Sequence, residues 1–331
     1  MNQMFPRPRF WDEAARQDRT RFTLLGEYLI LWLLLLIAMF GQSLLWSASL
    51  IPWMFGAKGS AVIAALSQDM SMDQAVIALV QALPDWVRIL ECLAYVSIGL
   101  TAIFYCHRIQ GRSLASMGLR GSFLSEYALG LLVGALSFGA VFGLGMMTGA
   151  YRLNFSAVSD GQLGLVLCGF FANAVQAASV ELLVHGYFAP TIGKRYPTLL
   201  ALLVSSVVPA MLYSEATELF WENSLLLGLV LGVWVLKRGN LWGSCAFYGV
   251  WLFADNFLCC FATEGQHTGI YLLPVQIDAY RTTLTGGEAG PLGGICATVV
   301  LLGVLMLILP LQGRESVPPK PQQEEDSENI L

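Results

Sequence analysis

The chain has 331 residues, 56% hydrophobic and only 12% charged, with a net charge of −5 at pH 7 and a mean hydropathy of +0.63. A soluble domain is about a quarter charged, so this composition excludes one and indicates a polytopic membrane protein. The sequence shows no basic patch and no glycine-rich phosphate loop, so no nucleic-acid or nucleotide partner is expected.

An N-terminal arm, 1–22, carries Arg7, Arg9, Arg16, Arg19 and Arg21. The apolar run after it is too long for a signal-peptide core and lacks a small-residue cleavage site, so it is expected to stay as a span. A helix crosses a bilayer with roughly 20 apolar residues. Eight such runs follow in order: Leu24–Trp46, Trp86–Cys106, Tyr127–Met147, Leu163–Phe188, Thr198–Tyr213, Leu225–Leu236, Leu241–Phe257 and Leu292–Leu311. The fifth, sixth and seventh are short.

Basic residues follow the second, fourth, sixth and eighth runs: Arg108, Arg112 and Arg120, then Lys194 and Arg195, Lys237 and Arg238, and Arg314 and Lys320. The other connections carry Asp69, Asp73, Asp85, Asp160, Glu215, Glu218 and Glu222 instead. Because Lys and Arg mark cytoplasmic loops, the alternation predicts an all-α bundle of eight spans, 23–312, with both termini cytoplasmic. Short loops and the absence of a targeting signal suit a bacterial plasma membrane. The acidic, Pro-containing tail, 313–331, is expected to be disordered.

Seven cysteines, with no C-x-x-C pair, read as small core residues. Ala61–Ala82 has apolar residues at helical spacing and reads as an amphipathic helix on the outer surface. Phe257–Gly290 reads as a long loop, either a lid or simply flexible.

The informative polar residues are Glu181 and His185, four apart inside the fourth run and so on one helical face. An ionisable group at that depth is a functional candidate by default. Ala174, Ala177 and Ala178 share the face and would let a neighbouring helix approach; Asn173 and Gln176 lie off it. Three readings stand: a structural hydrogen-bonded pair, a general base activating water, or two ligands of a metal that needs at least one more.

The stretch Val180-Glu181-Leu-Leu-Val-His185-Gly186-Tyr-Phe resembles the first signature of the CPBP family of intramembrane proteases, the CAAX prenyl endopeptidases and bacteriocin-processing proteins. That signature reads Glu-Glu-x-x-x-Arg-Gly. The likeness continues through Leu199–Tyr213, through Gly228–Leu236 with Lys237-Arg238-Gly239-Asn240-Leu241-Trp242, and upstream at Ser116-Met117-Gly118-Leu119-Arg120. It covers a core of about 116–258 and implies the CPBP-type fold and intramembrane proteolysis.

The departures fall on the positions that carry catalysis in the family. Val180 stands for the first Glu and His185 for the Arg; Pro209 and Tyr213 stand for a Phe and a His, and Tyr248 and Leu252 for a His and an Asn. A phenol titrates near 10 in water, so the two tyrosines are poor replacements for imidazole as a base. The residues therefore favour a pseudoprotease that binds a membrane-embedded peptide or protein, with a cavity lined by Glu181, His185, Tyr213 and Tyr248. The alternative is an active endopeptidase in which Glu181 activates water with His185 as partner. A divalent cofactor finds no supporting ligand set. Glu215, Glu218 and Asp255 are expected to form a solvated acidic rim, most of a membrane away from a Glu181 lying about 10 Å deep at 1.5 Å per residue.

Overall fold

A computed structural model describes residues 5–20, 22–66, 82–153, 163–211, 218–262, 272–278 and 280–313. It is a helical bundle, and each of the eight apolar runs falls on helix. A short α1, Arg9–Gln17, precedes the long α2, Leu24–Met54, and α3, Ala57–Leu66. The second run is α4, Asp85–Ala94, and α5, Val96–Phe104, prolonged by a π-helical turn at Tyr105–Ile109. The third is α6, Phe123–Met147. The fourth is α7, Leu163–Glu181, running on through a π-helical turn, Leu182–Phe188, into α8, Ala189–Gly193. Then come α9, Thr198–Ala210, α10, Glu218–Arg238, and α11, Trp242–Phe253, with a π-helical turn at Ala254–Leu258. A short α12, Thr282–Thr285, precedes α13, Ile295–Ile308.

Five stretches are long and apolar enough to cross a membrane: Leu24–Met54, Asp85–Ile109, Phe123–Met147, Leu163–Gly193 and Glu218–Arg238. Thr198–Ala210 and Ile295–Ile308 are shorter apolar helices. Leu25, Leu29, Leu33, Leu36 and Phe40 on α2 are exposed. In water such a strip would be unstable, so this surface belongs against lipid.

At the basic end the arm is folded against the bundle. Phe10 and Trp11 of α1 are buried, and Trp11 lies on Gly193, where a Cβ would come within 2.4 Å of its ring. Lys194 bonds both Asp18 and the buried Glu27 of α2, which ties the arm to two spans. Arg238 holds Glu126 through two bonds of 2.6 and 2.7 Å, clamping the end of α10 to the start of α6. Paired charges of this kind satisfy each other where hydration is poor. Pro6 lies against Gly313, so both described ends of the chain meet at this face. The acidic tail from 314 onward is outside the described residues, as are 67–81 of the expected surface helix; α3 covers the start of that segment.

At the opposite end, the expected lid or flexible loop Phe257–Gly290 holds regular structure. β1, Tyr151–Leu153, β2, Cys259–Ala262, and β3, Leu273–Ile277, form a three-stranded sheet in the order β1-β3-β2. β1 runs antiparallel to β3 and β2 parallel to it. The alternation of Leu273, Val275 and Ile277 buries one face of β3, and the glycines of that loop turn the chain back towards α13.

Glycines set the closest helix contact. A Cβ on Gly130 of α6 would sit 2.1 Å from the carbonyl oxygen of Gly243 at the start of α11. Gly139, on the same helix, faces open space. Gly130→Ala is therefore expected to destabilise the detergent-solubilised protein by about 1–3 kcal/mol, the usual range for overpacking. Gly139→Ala should be neutral or slightly stabilising in the same thermal unfolding measurement, because alanine favours helix.

Candidate functional site

The chain around Glu181 is shaped by a proline nine residues on. Pro190 lacks the N–H that would close a helical bond to the carbonyl of Gly186, and its ring crowds that carbonyl. The helix widens into the π-helical turn Leu182–Phe188 to absorb the conflict, and such turns often sit at functional sites. The freed Gly186 oxygen accepts instead from Arg112 Nη2 at 2.7 Å. Arg112 is almost wholly buried and also donates to Ser116 O at 2.8 Å and to Gln110 Oε1 at 3.2 Å. A guanidinium from a neighbouring loop thus substitutes for the missing proline donor.

Glu181 and His185 flank the start of this turn and touch. His185 Nδ1 lies 2.9 Å from Glu181 Oε2, with relative exposures of 1% and 0%. One shared proton satisfies that pair of atoms. Glu181 Oε1 and His185 Nε2 have no partner among the described residues. The imidazole fits because residue 232 on α10 is glycine: a Cβ there would lie 2.9 Å from Nε2 and 2.7 Å from a Leu202 methyl. The small-residue face of α7 also does what its spacing suggested. Gly249 of α11 approaches Ala174 and Ala177 so closely that a Cβ would be 3.4 Å from the first and 3.6 Å from the second. Asn173 accepts a bond from Asn256 at 2.9 Å.

Glu181 borders one of two adjoining cavities. The smaller, about 10 Å³, is lined by Glu181, Pro209, Ser224, Gly228 and Tyr248 among others. That is room for a single water. Ser224 Oγ is buried there without a partner. The larger, about 500 Å³, shares Tyr248, Leu227 and Leu292 with the first and reaches to Asp255 and Leu252. Tyr248, Leu227 and Leu292 stand between the two.

Of the positions singled out in the sequence, Glu181, His185, Pro209 and Tyr248 come together, and Leu252 lines the larger cavity. Val180 is buried in the core. Tyr213 and Glu215 are outside the described residues. The expected remote acidic rim does not hold for Asp255, which lies two helical turns beyond Tyr248, roughly 10 Å at 1.5 Å per residue. The helix bearing Glu181 continues past Phe188 to Gly193, twelve residues or roughly 18 Å beyond Glu181. Glu218 is exposed, as expected of a rim residue.

Ser224, Gly228 and Gly232 were not singled out as site residues, although their four-residue spacing is a small-residue stripe on one face of α10. Gly228 meets the backbone of Ser206, where a Cβ would be 3.1 Å from its Cα. Arg112 had only its place in a basic loop to mark it.

The donor set does not fit a metal. Among the described residues no group of three His, Cys, Asp or Glu side chains lies together. The two that meet spend Oε2 and Nδ1 on each other.

Residues 161–254, from the start of α7 to the end of α11, match the family model described as type II CAAX prenyl endopeptidase Rce1-like. The chain carries an Rce1-like domain. It contains Glu181, His185, Ser224, Gly232 and Tyr248, the residues that surround the smaller cavity or the imidazole. No curated protein and no solved structure gives a significant match. The match covers less than a third of the chain, and the long apolar helices around it fit an integral membrane protein.

The buried pair predicts a marked asymmetry between single and double substitution. His185→Leu alone strands the Glu181 carboxyl and is expected to cost about 3–5 kcal/mol, whereas combining it with Glu181→Leu should recover most of that loss. A double-mutant cycle of unfolding free energies measures the coupling. Gly232→Ala, which displaces the imidazole, should cost about 1–3 kcal/mol in the same assay.

Proposed function

We propose that this Rce1-like membrane protein is a pseudoprotease that binds a membrane-embedded peptide or protein segment without hydrolysing it. One observation carries the reading: the Glu181 carboxylate is fully buried, bonded to His185, and faced by a space of about 10 Å³. A general base must come within about 2.6–3.2 Å of the proton it removes, directly or through one water. The scissile group must lie beside it, and this space holds a water but no peptide bond. Valine at 180 and tyrosine at 213 and 248 also leave one carboxylate and one imidazole where the family pattern has more of each.

The alternative, an active endopeptidase, draws on the same cavity. Glu181 Oε1 and Ser224 Oγ, both unpartnered, and Tyr248 surround the water-sized space, and the 500 Å³ cavity begins on the other side of Tyr248. In that reading Glu181 takes a proton from the enclosed water and His185 stabilises the pair, while Tyr248 swings aside to admit a carbonyl.

For topology, we propose eight crossings with both ends cytoplasmic in a plasma membrane, bacterial by its short loops. The meeting of Pro6 and Gly313 supports an even number of crossings, and the Lys and Arg clusters at that face support its cytoplasmic side.

The purified protein in lipid nanodiscs, offered prenylated and unprenylated membrane-anchored peptides, tests the reading. The expected outcome is capture without cleavage, equal for wild type and Glu181→Gln. Cleavage by wild type that Glu181→Gln abolishes, with capture intact, would establish the enzyme instead.

A further inference from the structure

The larger cavity has a chemistry of its own. Its volume, about 500 Å³, lies within the range of small-molecule sites. Three formal charges line it, Arg88 and Glu91 on α4 and Asp255 on the π-helical turn after α11. Arg88 and Glu91 are three residues apart on one helix, and Glu91 feels the Arg88 charge, so these two offset each other. Asp255 is left to set the sign. It is exposed to the cavity and has no hydrogen-bond or ion-pair partner among the described residues. Gly290 backs directly on it; a Cβ there would come within 2.9 Å of Oδ1.

A second polar group lining the cavity is also unmatched. Gln176 is 6% exposed, and its Oε1 has no donor. An orphaned buried acceptor costs about 1–3 kcal/mol, and a free carboxylate beside an apolar wall is a further cost. Both groups accept hydrogen bonds, and the carboxylate favours a donor that carries positive charge. The rest of the wall is mostly apolar, with the aromatic rings of Tyr95, Phe138, Tyr248 and Trp251 among leucines. Trp251 is fixed in place by an Nε1–H bond to Ser137 Oγ at 2.9 Å and by the edge of Phe138 at 5.6 Å. Aromatic faces attract cations, more strongly where water is scarce.

We propose that this cavity binds a small organic cation, an alkyl- or arylammonium. Asp255 is its counter-ion, Gln176 Oε1 its second acceptor, and the rings of Tyr95, Tyr248 and Trp251 its apolar wall. The site does not depend on whether Glu181 activates water, because neither Glu181 nor His185 lines it. The ammonium donates, which matches two acceptors and leaves no donor stranded. A neutral ligand of the same shape leaves the Asp255 charge uncompensated, and an anionic one is repelled by it. Occupancy would also brace Tyr248 from the side away from Glu181.

Calorimetric titration of benzylammonium into the protein in zwitterionic nanodiscs, against empty nanodiscs, tests the assignment. Saturable binding is expected, with benzyl alcohol of nearly the same shape at least tenfold weaker. Asp255→Asn should weaken benzylammonium at least tenfold, and Gln176→Leu severalfold. Glu222→Gln, an exposed acid on α10, should leave it unchanged and controls for general charge. Asp255 has no bonding partner among the described residues, so its variant is expected to unfold no lower than wild type. Absent saturation, equal affinity for benzyl alcohol, or wild-type affinity in a folded Asp255→Asn protein would each overturn the proposal.

Discussion

A polar group placed in hydrocarbon has no water to turn to, so every one that the chain carries there must find its partner in the protein. The helix from Leu163 to Gly193 takes this constraint furthest. It carries a carboxyl, an imidazole and a proline, and each leaves atoms to be matched. Glu181 and His185 match each other. Pro190 frees the Gly186 carbonyl, and Arg112 arrives from the loop after the second span to take it. Arg112 in turn reaches Gln110, which bonds Asp18, which bonds Lys194 just past the same helix. The Gly186 carbonyl beside the buried pair and the folded arm at the basic end therefore belong to one connected network, while Glu181 and His185 bond each other.

Small residues make that network possible. Gly232 makes room for the imidazole and Gly228 lets α10 approach α9. Gly249 brings α11 onto the alanines of α7, and Gly130 brings α6 onto α11. Without side chains at these points, the helices close to distances at which a single water-sized gap is left beside Glu181. Tyr248, on the helix that this close packing positions, then stands with Leu227 and Leu292 between the gap and the larger cavity.

Much of this was legible in the sequence because the relevant signals are local. Apolar runs and alternating basic residues placed the helices, and the four-residue spacing of Glu181 and His185 was enough to put them in contact. The match of ordered motifs identified the domain that includes them. What escaped were features set by distant partners. Arg112 looked like another loop cation, because its carbonyl targets lie in a helix far along the chain. Asp255 looked like a rim residue because the charge pattern assigned it to the non-cytoplasmic face, and the cavity it lines is built from several helices. The proline that opens a π-helical turn can be passed over as a helix end, when the helix in fact widens and continues. The pairing of β1 with β3 joins segments more than a hundred residues apart, beyond the reach of local pattern.

The helices are unequal in length, and the membrane has to accommodate the difference. Thr198–Ala210 and Ile295–Ile308 rise only about 20 Å at 1.5 Å per residue, against a hydrocarbon core of about 30 Å. Both present side chains outward, among them Leu203 and Val207 on one and Leu302 and Met306 on the other. A lipid-facing helix shorter than the core draws the bilayer thinner around it, at fractions of a kcal/mol per Å of mismatch. Where these two helices meet lipid, the bilayer would thin to match them, and the headgroup boundary and the water behind it would lie closer to the bundle interior on that flank.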